Sequence, residues 1–415
     1  MVEQRAARTW LIVLGVVLLL AQIVLGVLWW KLPEWYPAWV AEYSPWPEPA
    51  LRAVQHDTAD DAYTRVEGRL TAWGPAIGPA LRRKFESGDH GQRLHIIALA
   101  TSLAAARGIV EGTAFTADQG RRYSAEDVQS VREDLYQLVV AAMADGSSYL
   151  PNNAAYLANA LSDPRVVMLF CDHLRGREPP IFEDLEPVVN LLGNLADARA
   201  VPFLLPLLPI RHRPHAVVEE ALERCLDESS LMHVIAATHH PHEVIRAWAA
   251  RHFPRYRTSA DLAQRLVALL DDGERQVRVA AVQGLAAGAH QAVGPRLIEL
   301  AQHEEDPPVR IAAVEALGDL HYAAAAPCLR ILVTTAQDRL RNEAIIALGD
   351  LADAESFAIL LPLLQHEDKT VVIKAHWSLS QMPLTAEQRR AVDAIWPLGP
   401  PSGEDPTLRP TPTPP

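Results

Sequence analysis

A short block returns along this chain at Ile245, Val277, Val309, Leu340 and Val371, at intervals of 32, 32, 31 and 31 residues. At Val277 it reads Val-Arg-Val-Ala-Ala-Val-Gln-Gly-Leu, at Val309 Val-Arg-Ile-Ala-Ala-Val-Glu-Ala-Leu-Gly-Asp-Leu, and at Leu340 Leu-Arg-Asn-Glu-Ala-Ile-Ile-Ala-Leu-Gly-Asp-Leu. A unit this short cannot bury its own apolar face, so a fixed period in this range points to stacked units whose core forms between neighbours. Val277, Ala281 and Leu285 fall at i, i+4 and i+8, one stripe of an α-helix. A companion helix is expected before each block, over Leu262 to Leu270, Pro295 to Leu300, Pro327 to Val333 and Phe357 to Leu364. Proline is tolerated at the first turn of such a helix, where its missing N–H has no partner to lose. Asp271-Asp272-Gly273, Asp306-Pro307-Pro308 and Glu367-Asp368 supply turns. Ala281, Ala313, Ala344 and Ala375 keep the seam small enough for backbones to approach.

These strings resemble the HEAT-like repeats first named from phycobilisome lyases, in which each unit is a pair of antiparallel helices. The resemblance covers about residues 184–380. Weaker copies begin near Asp184, where Leu192-Gly193-Asn194-Leu195 echoes Leu348-Gly349-Asp350-Leu351, and near Val217, giving about seven units. An all-α fold follows, an α-solenoid of HEAT-like helical hairpins over 184–395. Residues 51–183 read as an irregular helical region or N-terminal cap, clearest at Leu94 to Ala106 and Val128 to Met143. Composition agrees, since hydrophobic residues make up 49% and aromatics only 6%, a balance dominated by the small and aliphatic residues of packed helices. Residues 396–415 carry eight prolines and are expected to form an extended or disordered tail.

From Leu11 to Trp30 the only strongly polar side chain is Gln22, and twenty helical residues cover about 30 Å, the thickness of a hydrocarbon core. Residues 10–30 are therefore expected to form a transmembrane helix after a short tail, 1–9. Trp10, Trp29 and Trp30 bound it, and no small-residue cleavage site or lipoprotein cysteine follows it. Arg5 and Arg8 before the span, against Lys31 followed by Glu34, Glu42 and Glu48, place the N-terminus in the cytoplasm. The expected location is a single-pass membrane protein; in a bacterium the array would face the periplasm from the inner membrane. In the juxtamembrane segment, 31–50, Trp35, Trp39 and Tyr43 recur every four residues, so a helix there would gather them on one side. They read either as an interfacial collar or as a Pro-rich spacer packed on the first helices.

The net charge of −13 disfavours nucleic acid, whose affinity comes from Lys and Arg neutralising phosphates. Cys171, Cys225 and Cys328 fit no metal spacing and read as small buried residues. Arg246, Arg278, Arg310 and Arg341 recur at one repeat position. The resemblance implies that each pairs with an acidic residue of the preceding turn, with Asp272, Glu304 or Asp306, and Asp338 available. His242-Glu243, His303-Glu304 and His366-Glu367 superficially match the di-iron site of deoxyhypusine hydroxylase, another HEAT-repeat family. In that family the pair sits inside the second helix, whereas here it falls in turns. His239, His240 and His242 are the candidate metal ligands, weighed against solvated turn residues. No GxGxxG, P-loop, GxSxG or HExxH occurs, and no cofactor is expected.

Within the second helices, Ile311 and Glu315, Asn342 and Ile346, and Ile373 and Trp377 are i, i+4 pairs outside the packing stripe. In solenoids that face lines the groove, so these residues are the candidate protein-binding surface, unless successive repeats or the tail cover them. The expected function is a membrane-anchored scaffold or docking protein bound to another protein. The alternatives are a HEAT-repeat enzyme, lyase-like or metal-dependent oxidoreductase, working in the same groove, and a stiff spacer.

Overall fold

The structure, a computed structural model, describes residues 22, 24–27, 30–34, 40–41, 44, 46–54, 61–117, 121–145, 149–175, 185–209 and 215–395. The chain divides into two compact units, Met1–Asp227 and Glu228–Pro415.

The second unit holds the periodic blocks. Its helices are α12 (Leu231–Ala237), α13 (Glu243–Arg251), α14 (Ala260–Leu269), α15 (Arg275–Ala287), α16 (Gly294–His303), α17 (Pro307–Asp319), α18 (Ala326–Thr335), α19 (Asp338–Asp350), α20 (Phe357–Leu360), α21 (Lys369–Gln381) and α22 (Ala386–Ile395). Each block forms the second helix of a hairpin, and α13, α15, α17, α19 and α21 pack in sequence against one another. The companion helices expected before the blocks are present, the last as α20 followed by a 3-10 turn over Leu361–Gln365. The predicted stripe is the seam: Val277, Ala281, Leu285, Val309, Ala313, Leu317, Ala344, Leu348, Val371 and Ala375 are all completely buried. Leu340 is the exception and is half-buried.

Close approach explains the small residues. A Cβ on Gly318 would lie 3.0 Å from the Cα of Ala347, and one on Gly349 would lie 2.7 Å from the Cα of Ser378. The buried Ser378 hydroxyl donates to the Ile345 carbonyl at 2.6 Å, tying α21 to α19 across the same contact. Three of the five second helices, α15, α17 and α19, end on a left-handed residue that is not glycine: Ala289 (φ 56°), His321 (φ 47°) and Ala352 (φ 50°). The following amides of His290, Tyr322 and Asp353 donate back to Leu285, Leu317 and Leu348, the reverse turn that satisfies orphaned carbonyls at a helix end.

The first unit contains α1 (Pro47–Val54), α2 (Asp61–Glu67), α3 (Ile77–Ser87), α4 (His90–Ala104), α5 (Arg107–Glu111), α6 (Ala125–Ala144), α7 (Leu150–Leu161), α8 (Val167–Leu174), α9 (Glu186–Leu195), α10 (Val201–Leu204) and α11 (His215–Cys225). Side chains of Asp89 and Gln92 cap α4 reciprocally, and Ser124 and Asp127 do the same for α6. The weak copies pack as the strong ones do, with a Cβ on Gly193 of α9 falling 2.8 Å from the Cα of Ala221 in α11. One departure from an all-helical reading is a two-stranded antiparallel hairpin, β1 (Phe115–Thr116) and β2 (Arg122–Tyr123), with Phe115 opposite Tyr123 and their rings 4.6 Å apart.

No helix among the described residues is long and apolar enough to cross a membrane. Most of the expected span, and Trp10, Trp29, Trp35 and Trp39 with it, lie outside the described residues, as does the tail from 396. Within the expected span, Val24, Leu25 and Val27 are helical and between 56% and 64% exposed. Within the first unit, described residues of the segment 31–50 are tied to the helices that follow. The Arg69 guanidinium donates to the carbonyls of Ala41 (2.9 Å) and Ser44 (3.0 Å), and the Trp73 indole N–H donates to Ser44 (3.3 Å).

Candidate functional site

The repeated arginines form a different ladder from the one the resemblance implied. Arg246 meets Asp272 through two hydrogen bonds of 2.8 and 2.9 Å, and Arg278 reaches Glu304 at 3.2 Å and Asp306 at 3.1 Å. These carboxylates belong to the turn of the next unit, not the preceding one. Toward its own turn each arginine donates to backbone: Arg246 to the carbonyls of His240 and Pro241, and Arg278 to those of Asp272 and Gly273. Each side chain thus clamps two consecutive turns. The ladder then stops, since among the described residues the Arg310 side chain donates only to the Ala301 carbonyl, at 3.3 Å. The turn before α19 is one residue shorter, and its acidic residue, Asp338, opens α19 with a left-handed backbone (φ 50°); among the described residues no ion pair joins it to Arg310.

The three candidate metal ligands are occupied as turn residues. His239 stands 3.0 Å from the Thr238 hydroxyl and 2.8 Å from an Arg265 nitrogen. A His240 ring nitrogen accepts from the His242 amide, and a His242 ring nitrogen accepts from the Val244 amide, capping α13. Burial pushes His240 below the ordinary histidine range, and the neighbouring His242 adds to the shift. Among the described residues no group of three or more His, Cys, Asp or Glu is placed to hold a metal. The cysteines are buried and free.

The six candidate groove residues sit on α17, α19 and α21, three consecutive second helices, and five of them are half-buried: Ile311, Glu315, Asn342, Ile373 and Trp377. Ile346 is not available, because it is only 5% exposed and packs into the seam. The reason is local, since the 31-residue interval around α19 coincides with a second helix whose Ala344 through Gly349 are buried without interruption.

The same face carries a chain of charges that sequence reading missed. The Arg339 guanidinium lies 3.3 Å from Glu315 and 4.0 Å from Glu343, and Glu343 lies 3.7 Å from the Lys374 ammonium. Arg339 is 70% exposed, whereas Glu343 and Lys374 keep only 12% and 10% of their side chains in solvent, so the pair is held inside the packing of α19 against α21. A signal existed. At this repeat position the first three blocks carry Trp248, Ala280 and Ala312, and the last two carry Glu343 and Lys374, opposite charges one unit apart. Nearby, the Asn342 side-chain carbonyl is buried without a hydrogen-bond partner among the described residues.

Comparison with known proteins agrees with this architecture. Residues 262–349 match the family model for HEAT repeats and residues 340–366 match that for the PBS lyase HEAT-like repeat, so this stretch is a HEAT-repeat array. No curated protein matches the chain in sequence. Among solved structures, it is similar to Kap121p bound to the extreme C-terminus of the protein phosphatase Cdc14p, with 15% identity over 81% of this chain and 41% of that one and a TM-score of 0.54. It is likewise similar to Kap121p bound to Nup53p, with 15% identity over 84% of this chain, 42% of that one and a TM-score of 0.54. The chain thus spans about two fifths of the karyopherin with which it shares a helical-solenoid fold. The complex of CpcE and CpcF of phycocyanin lyase from Nostoc sp. PCC7120 is 19% identical over 74% of this chain and 94% of that one, but its TM-score of 0.26 is too low to carry the comparison further.

Proposed function

We propose that this chain is a membrane-anchored HEAT-repeat scaffold that docks a partner protein on the second-helix face of α17, α19 and α21. The observation that carries the proposal is the placement of Trp377, Ile373 and Ile311, half-exposed apolar side chains on consecutive units beside the Glu315–Arg339–Glu343–Lys374 charges. An aromatic anchor with apolar neighbours and a charged rim has the composition of a protein-binding hot spot. The fold adds support, since karyopherins with this architecture are seen bound to protein segments. The anchor is residues 10–30, supported by the apolar run and by Val24, Leu25 and Val27, which the first unit leaves in the open. The proposed location is a bacterial inner membrane with the array in the periplasm.

Co-purification from membranes tests the docking face. Replacing Ile373 and Trp377 by alanine removes the partner recovered with the wild type, while Ile331→Ala, an exposed change on α18, leaves it bound. Equal recovery with all three proteins would refute the docking face. A reporter active on only one side of the membrane, fused to the C-terminus, tests the orientation.

A further inference from the structure

Trp30, the last residue of the apolar run, borders a cleft in the first unit between α1 and α3, with a volume of about 270 Å³. Its charged lining is Glu48, Arg52, Arg83 and Lys84, three cations against one carboxylate in a chain whose net charge is −13, and Ser87 adds a hydroxyl. The Arg52 guanidinium stacks over the Trp30 ring at 3.8 Å from its centroid and donates to the Trp30 carbonyl, so the cleft and the end of the apolar run are one structure. Arg83 is taken up by Glu48. The Lys84 ammonium has no ion pair or hydrogen bond among the described residues, and the residue is half-buried. Burial holds its ammonium below the ordinary lysine range, and the charge of Arg52 lowers it further. Two cations are therefore held together, against their mutual repulsion, beside an indole that is 64% exposed. Pro33 and Leu51 give the cleft apolar walls.

We infer that this cleft binds the phosphate of an anionic phospholipid headgroup. The inference rests on the membrane-anchor reading, because only then do Trp30 and the cleft lie at headgroup depth. Arg52 uses one of its five N–H donors on Trp30 and keeps the others for a phosphate, and Lys84 adds a point charge opposite. The exposed Trp30 ring sits at the interface, where amphipathic aromatic rings are stable. An anion here relieves the Arg52–Lys84 repulsion and fixes the rotation of the anchor against the first unit, which the Arg69 and Trp73 bonds to residues 41 and 44 already hold close.

The test uses the full chain in mixed micelles of zwitterionic detergent titrated with phosphatidylglycerol, phosphatidylcholine or inorganic phosphate, with bound lipid counted by native mass spectrometry. Wild type binds phosphatidylglycerol in preference to phosphatidylcholine, and the Arg52→Gln, Lys84→Gln variant binds it roughly 30-fold more weakly, about fivefold per cation removed at a surface. A control variant, Arg389→Gln on α22, binds as wild type does. Equal phosphatidylglycerol affinity in wild type and double variant overturns the site. Competition by inorganic phosphate at the same concentration as the lipid overturns the lipid as its source. Carbonate extraction of native membranes separates this from the anchor reading: release of the chain sinks the anchor, whereas retention with indifferent lipid binding sinks the cleft alone.

Discussion

Arg278→Met is expected to loosen the array locally and by a calculable amount. Only 15% of the Arg278 side chain is in solvent, and it meets Glu304, 15% exposed, and Asp306, 27% exposed. An exposed ion pair contributes about 0.2–1 kcal/mol, while breaking a fully buried one costs about 3–5 kcal/mol. This site lies between those limits. Arg275, 3.7 Å from Asp306, partly compensates that carboxylate when Arg278 is removed. Loss of the bonds to the Asp272 and Gly273 carbonyls adds about 0.5–1.5 kcal/mol each if water does not replace them. The expected total is about 2–3 kcal/mol. Arg310→Met, which removes only a 3.3 Å bond to the Ala301 carbonyl, should cost below about 1 kcal/mol. Because units contact only their neighbours, the loss should be confined rather than global. Amide hydrogen exchange resolved by peptide reads it: protection over 275–319 falls about 30-fold or more in the first variant and less than about fivefold in the second. Adding Glu304→Gln and Asp306→Asn to Arg278→Met should recover part of the loss. Equal effects of the two arginine changes would refute the clamp.

Gly349→Val places a branched side chain where a Cβ alone would lie 2.7 Å from the Ser378 backbone, so a loss of about 2–3 kcal/mol is expected in urea unfolding, whereas Gly273→Val, with open space around it, should change little. Ala352→Gly relieves a left-handed backbone (φ 50°) and should raise the unfolding free energy by about 0.5–1 kcal/mol, as should the same change at Ala289. Burial alone would raise the Asp272 carboxyl, but hydrogen bonds from Arg246 and the Glu274 amide outweigh it and hold the group below its ordinary value of 3.8. The folded pKa being the lower one, this stabilisation is complete above 3.8 and disappears as pH falls through the folded value. Asp272→Asn should therefore flatten the acid limb of stability measured against pH while lowering stability at neutral pH.

The seam was readable because a period of 31 to 32 residues repeats the same apolar spacing, and the fully buried stripe from Val277 to Ala375 follows it. The ends of the second helices were not readable, because the left-handed positions carry Ala289, His321 and Ala352 in place of the glycine that marks such a turn. The direction of the arginine clamp depended on which turn lies within reach across a helix pair, and that is a property of stacking rather than of spacing along the chain. Ile346 shows the same limit, since the pattern put it on the open face and the packing of α19 buried it. The cleft beside Trp30 drew residues from 30, 48, 52, 83 and 84, a stretch without period, so nothing in the sequence brought them together. The Glu343–Lys374 pair was legible in principle, as a charge reversal at a position that is alanine in the two blocks before it.

Docking on the second-helix face is tested most directly by placing a photo-crosslinking amino acid, one protein at a time, at Trp377, Ile373 and Ile331, and irradiating intact membranes. The account predicts one and the same adduct at 377 and 373, lost on adding Arg339→Glu, and none at 331, which is 57% exposed on a first helix. Adducts of equal yield at 331, or their absence at 377 and 373 in a correctly folded chain, would contradict it.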